Sequence, residues 1–129
     1  FFFMQKTSYD IMPSLVCSDM CIRDRCGSLR LGANKINIGD KTNAQEIYKS
    51  NLISKRHRHR YEFNTKYLDQ FKENGMIFSG ESDKGRRMEI LEIPSHKFFM
   101  GVQYHPEFDS RPGFPEEVFK AFTIASGQK

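Results

Sequence analysis

Cysteine is scarce and confined to one end: the 129 residues hold three, Cys17, Cys21 and Cys26. An odd count with no secretory context argues against a disulfide framework. Their C-x3-C-x4-C spacing is not the C-x2-C pair of a zinc ribbon or knuckle, and no fourth Cys or His follows nearby. Apolar runs are short, and none reaches the ~18 residues of a membrane-spanning helix. Phe1, Phe2 and Phe3 are followed by Lys6 with no continuous apolar stretch after it, which is not the pattern of a signal peptide. Charge of one sign is also lacking. Twenty Lys and Arg against 16 Asp and Glu leave a net charge of +4, too little to imply nucleic-acid binding by itself. No internal repeat or low-complexity run occurs, and the length allows a single domain.

What is present divides unevenly. The chain starts without methionine, and residues 4–26 show neither helical nor strand periodicity. The stretch from Pro13 to Arg25 resembles translated sequencing-adapter sequence. Residues 1–26 are therefore expected to be a non-native tail, disordered or irregular. Residues 27–129 read differently. Twelve Phe and five Tyr supply bulky core candidates. Leu29 to Gly32 and Lys35 to Ile38 are strand-like pieces ending at the turn signal Gly39-Asp40. Thr42 and Gln45 have capping-box spacing and predict a short helix through Tyr48. Asn64 can cap a second helix with Tyr67, Leu68 and Phe71 on one face, ended by a left-handed Gly75.

Met76 to Gly80 reads as a strand and Glu81 to Gly85 as a polar turn. Arg87 to Ile93 alternates apolar and charged residues, as a sheet edge or half-buried strand does. Phe98 to Tyr104 is apolar throughout and predicts a buried central strand. Pro115 fits position N1 of a last helix, with Val118, Phe119, Phe122 and Ala125 on its buried face. The pattern is α/β.

Two segments can carry chemistry. The first is Gln103-Tyr104-His105-Pro106-Glu107, where a strand runs into a His, a Pro and a Glu. Pro106 biases His105 toward an extended conformation. Residues two apart on an extended chain point to one side. His105 and Glu107 can therefore meet, and a carboxylate beside an imidazole fixes its tautomer, as a general base requires. The plainer alternative is a loop histidine beside a surface glutamate. The second segment is Lys55 to Glu62, whose four Lys and Arg carry as much charge as the whole chain's excess. Alternation would put Arg56, Arg58 and Arg60 on one face and His57, His59 and Tyr61 on the other. Such a strand can contact phosphate or RNA with Tyr61 stacking, bind a carboxylate through Arg, or offer His57 and His59 to a metal. It can equally be a solvated edge whose charges block aggregation.

These residues carry a family resemblance. Gly27 to Gly32, the Arg56-His57-Arg58-His59-Arg60-Tyr61-Glu62 run followed by Asn64, Arg87 to Ile90, and Gly101 to Phe108 with Ser110-Arg111-Pro112 resemble the carboxy-terminal glutamine amidotransferase domain of the CTP synthases. The likeness extends from Gly27 to about Ser126. It implies an α/β fold, the C-terminal part of a class I glutamine amidotransferase three-layer α/β/α fold, incomplete. His105 and Glu107 would be catalytic, and Arg60 would hold L-glutamine. In the family a cysteine thiolate attacks the glutamine amide, and the ammonia released serves ATP-dependent amination of UTP to CTP in pyrimidine biosynthesis. The nucleophile's Gly-x-Cys-x-Gly elbow is not found in this sequence. The resemblance therefore implies a fragment inactive alone, with no metal or cofactor of its own. ATP and magnesium would belong to a synthetase domain missing from this sequence. The parent would be a cytoplasmic homo-tetramer with no membrane or nucleic-acid partner. The competing readings are another class I amidotransferase, a vestigial or scaffolding amidotransferase-like domain, and a small basic RNA-binding module.

Overall fold

The computed structural model describes the backbone of residues 21–23 and residues 30–127. Of the expected tail, Cys21–Arg23 forms a short strand (β1), and the remainder of residues 1–26 lies outside the described residues. Arg30–Ile38 (β2), Leu52–His59 (β3), Ile77–Ser82 (β5), Arg87–Glu92 (β6) and Met100–Val102 (β7) build a five-stranded sheet of order β3-β2-β5-β6-β7. All its pairings are antiparallel. Tyr61–Phe63 (β4) pairs with β1 in a separate ribbon. The helices are Asn43–Tyr48 (α1), Leu68–Glu73 (α2) and Glu117–Gly127 (α3). The result is an incomplete α/β arrangement.

Local signals explain most of these elements. The two expected pieces before Gly39 are one nine-residue strand, β2. Thr42 Oγ1 accepts from the Gln45 amide at 3.2 Å and caps α1. The return half of the capping box shifts by one residue, since Gln45 Oε1 accepts from the Lys41 amide at 2.7 Å. Asn64 caps a 3-10 turn, Thr65–Tyr67, which leads into α2. Gly75 follows α2 with φ of +77°, and Met76 N donates to Phe71 O, closing the left-handed cap. Phe71 then packs against Phe63 and Phe78 at 5.1 and 5.8 Å between ring centres.

The two strands after Gly85 exchange their expected places. β6 is an interior strand, and Met88, Glu89, Ile90 and Glu92 are buried. β7 is only half-buried and forms one edge of the sheet. The charges of β6 misled because each has a partner inside. Glu92 Oε2 and Oε1 accept from the Asn43 and Ala44 amides at 3.0 and 3.1 Å, meeting the unpaired donors at the start of α1. The last helix also departs from expectation. It begins at Glu117, so Pro115 lies outside it, and Glu116 Oε2 accepts from the Val118 amide at 2.8 Å. Only Val118 of its expected inner face is buried, and Phe122 is 56% exposed.

The apolar core is Ile36, Ile38, Ala44, Ile90 and Tyr104. Gly80 lies against it at a register shift between β5 and β6. A Cβ there would come within 2.6 Å of Ile90 Cγ1 and 2.7 Å of its Cδ1. Because Ile90 is fully enclosed, Gly80→Ala should cost about 1–3 kcal/mol of stability, read as a lower urea midpoint at unchanged m-value. An unchanged midpoint would show that the core yields there.

Candidate active site

The strand order makes β3 and β7 opposite edges, yet the chain leaving β7 reaches back to β3. Gln103 N still donates to Glu89 O at 2.9 Å, and two residues later His105 N donates to Arg56 O at 3.0 Å. His105 is extended, with φ of −109° and ψ of 92°, as the following proline dictates. Pro106 is buried at the start of a 3-10 turn, Pro106–Phe108. That geometry brings His105 Nδ1 within 2.6 Å of Glu107 Oε1. A carboxylate only accepts, so Nδ1 carries the hydrogen, and the neutral imidazole then has its lone pair at Nε2. The Phe108 ring stacks on the imidazole at 5.3 Å.

Glu107 is exposed, and its carboxyl lies below the usual range. What little burial it has pushes the value up. Its own backbone amide, the hydrogen bond and charge of His105, and the nearby charge of Arg58 outweigh that. The acceptor thus stays ionised through the neutral range and is lost only on strong acidification.

The basic segment is less uniform than its sequence. Along β3, Arg56 and Arg58 are exposed and His57 is buried, as alternation predicts. The alternation breaks at Arg60, an exposed residue in the bend before β4. Tyr61 therefore emerges 56% exposed and Glu62 is buried, so Tyr61 does not share a face with His57 and His59. Lys55 is not a free cation. Its Nζ lies 2.7 Å from Glu116 and 3.1 Å from Asp109, and 5.1 and 5.9 Å from the ring centres of Tyr48 and Tyr104. Burial opposes its charge, but the two carboxylates raise its pKa overall. Tyr48 spends its single hydrogen on Glu116 Oε1 at 2.6 Å, so Tyr104 is the donor in the short contact between the two hydroxyls. This network ties the turn after His105 to α1 and α3.

His57 does not serve as a free ligand either. Its Nδ1 lies 3.0 Å from Lys55 O and its Nε2 2.9 Å from Glu89 Oε2. Among the described residues no three His, Cys, Asp or Glu are gathered to hold a metal. Glu89 belongs to a buried ionic cluster that pattern-reading missed. Its Oε1 accepts from Arg30 Nη2 at 2.6 Å and from Ser82 Oγ. Arg30 Nη2 also donates to Ser82 Oγ at 3.2 Å, and its Nη1 donates to Glu62 Oε1 at 3.3 Å. Burial pushes the Glu89 carboxyl up, but the hydrogen bonds from His57, Arg30 and Ser82 and the Arg30 charge hold it at about 2.

Gln103 Nε2 donates to Tyr61 O at 2.9 Å, fastening the bend that carries Arg60 to the segment between β7 and His105. Gln103 stands in the segment that the sequence singled out, but its contact with the bend did not show there, because a single amide donor leaves no periodicity.

The family model for glutamine amidotransferase class-I matches residues 26–125. A CTP synthase of Staphylococcus epidermidis is 48% identical over 121 residues, covering 94% of this chain and 22% of that protein. A CTP synthase of Staphylococcus saprophyticus is 52% identical over 105 residues, 81% of this chain and 20% of that protein. The chain thus spans about a fifth of the length of the curated relatives it matches. Among solved structures, the glutaminase domain of Trypanosoma brucei CTPS with bound acivicin superposes with a TM-score of 0.75 at 38% identity, covering 83% of this chain and 43% of that one.

Proposed function

The chain belongs to the class-I glutamine amidotransferase family, and from that premise we propose that residues 30–127 supply the histidine and carboxylate of a glutaminase centre in a CTP synthase. The observation that carries the reading is the His105–Glu107 pair, bonded at 2.6 Å through Nδ1. Glu107 fixes the tautomer, so Nε2 can take the proton of an attacking thiol and return it to departing ammonia. Arg60, exposed in its bend, would hold the glutamine carboxylate as a planar guanidinium can.

The thiolate is the part these residues do not supply. All three cysteines lie at or before position 26, and none stands in a Gly-x-Cys-x-Gly setting. In our reading the nucleophile belongs to a further part of the glutaminase domain, and ATP, magnesium and UTP to a synthetase domain. The whole enzyme would be a cytoplasmic homo-tetramer making CTP. No helix among the described residues is long and apolar enough to cross a membrane.

The expected result for the 129-residue chain alone is no ammonia release from L-glutamine in a coupled assay. Ammonia release that disappears on replacing Cys17, Cys21 or Cys26 would overturn this, because it would locate the nucleophile in the first 26 residues.

A further inference from the structure

Arg60 stands alone in a bend between two strands, exposed, with the burial phase inverted on either side. An arginine so placed carries large rotamer freedom, and a substrate-holding guanidinium loses affinity when that freedom must be frozen on binding. The flanking residues counter it. His59 Nε2 and Glu62 Oε1 meet at 3.2 Å across the bend. Glu62 is 5% exposed and is gripped by Arg30 Nη1, with Arg87 Nε 3.7 Å away. Arg30 is anchored in turn by Glu89, and Glu89 by His57. From the side, Gln103 holds the Tyr61 carbonyl. The bend is therefore fastened beneath by ions and laterally to the segment between β7 and His105.

Stability alone does not call for such a cluster, since apolar packing of equal volume often serves as well as buried ions. What directional, charge-assisted bonds add is geometry. We infer that Glu62 is a positioning residue for Arg60, the Arg30–Glu62–His59 clamp holding the bend in the orientation that glutamine binding uses. This rests on the reading that Arg60 holds glutamine.

The test measures amide order parameters by 15N relaxation on the 129-residue chain. Arg60 and Tyr61 are expected in the rigid range near about 0.85 and should fall below about 0.6 in Glu62→Gln, while Ile36 and Ile90 stay unchanged. Should Glu62→Gln fail to fold, His59→Leu removes the strut across the bend, leaves Arg30 paired with Glu89, and should give the same local loss. Arg60 keeping its order in the variant that folds, or an equal loss at Ile36 and Ile90, overturns the inference. Glutamine kinetics separate it from the functional reading. In a full-length enzyme carrying this chain, Glu62→Gln should raise KM about tenfold at unchanged kcat. Lost order at Arg60 with an unmoved KM would uphold the clamp and remove Arg60 from glutamine binding.

Discussion

Replacing Glu89 by alanine should cost about 3–5 kcal/mol, a large share of the stability of a typical domain. The size follows from what is left behind. Glu89 is 1% exposed and accepts from Arg30, Ser82 and His57. Without it, Arg30 keeps Glu62 and the neutral Ser82 hydroxyl, and its Nε already lacks a partner among the described residues. His57 Nε2 would face a void where its acceptor stood. Removing one partner of a buried ionic network costs far more than the network's net worth, because the remaining charge stays desolvated. The measurement is a urea titration followed by far-UV circular dichroism, with a surface control such as Glu73→Ala expected within about 0.5 kcal/mol of the parent. A Glu89→Ala midpoint matching that control would show that the cluster contributes nothing.

The same carboxylate sets an acid limit. Its folded pKa of about 2 lies below the ordinary 4.5, so the folded state binds its proton more weakly than the unfolded chain does. The stability it contributes is therefore complete above about pH 4.5 and is lost as pH falls toward 2. A melting temperature that drops between those values in the parent, and drops less in Glu89→Gln, is the expected signature.

Much of the site was legible because its signals are local. Pro106 constrains the residue before it, and two-residue spacing on an extended chain places His105 beside Glu107. Thr42, Asn64 and Gly75 act within their own turns and were placed by the same logic. The misread segments depend on residues far away in sequence. Alternating charge made Arg87 to Ile93 look like an edge, but Glu89 and Glu92 are buried against Arg30, His57 and the α1 amides. Lys55 looked like part of a solvated basic run, yet Asp109 and Glu116 enclose it. Tyr61 was assigned to the histidine face because periodicity cannot foresee a bend at Arg60. The aromatic run from Phe98 to Tyr104 promised burial, and β7 is nevertheless an edge. Phe119 and Phe122 of α3 are likewise exposed, at 40% and 56%. A hydrophobic pattern encodes that a face is to be covered, and a sequence does not state which segment covers it. This chain covers 43% of the solved glutaminase domain from Trypanosoma brucei.

That relationship supplies the sharpest test of the catalytic reading. On the proposed reading, joining residues 27–129 in frame behind the part of the Staphylococcus epidermidis CTP synthase that precedes the matched stretch should give ammonia release from glutamine. The shared stretch is 48% identical, so the interface between the two parts is expected to form. In that protein His105→Ala should lower kcat about 10²–10⁴-fold, the range spanned by general acid–base groups. Glu107→Gln should lower it less, since the imidazole remains but loses the charge that holds its Nδ1–H. In the parent the Glu107 carboxyl is held below its usual range, so the glutamate should not set the acid limb. Arg60→Ala should act on KM with little change in kcat, because a group that holds substrate and transition state alike contributes uniform binding. Turnover that survives His105→Ala would remove the imidazole from the chemistry and leave the His-Pro-Glu turn as a structural corner alone.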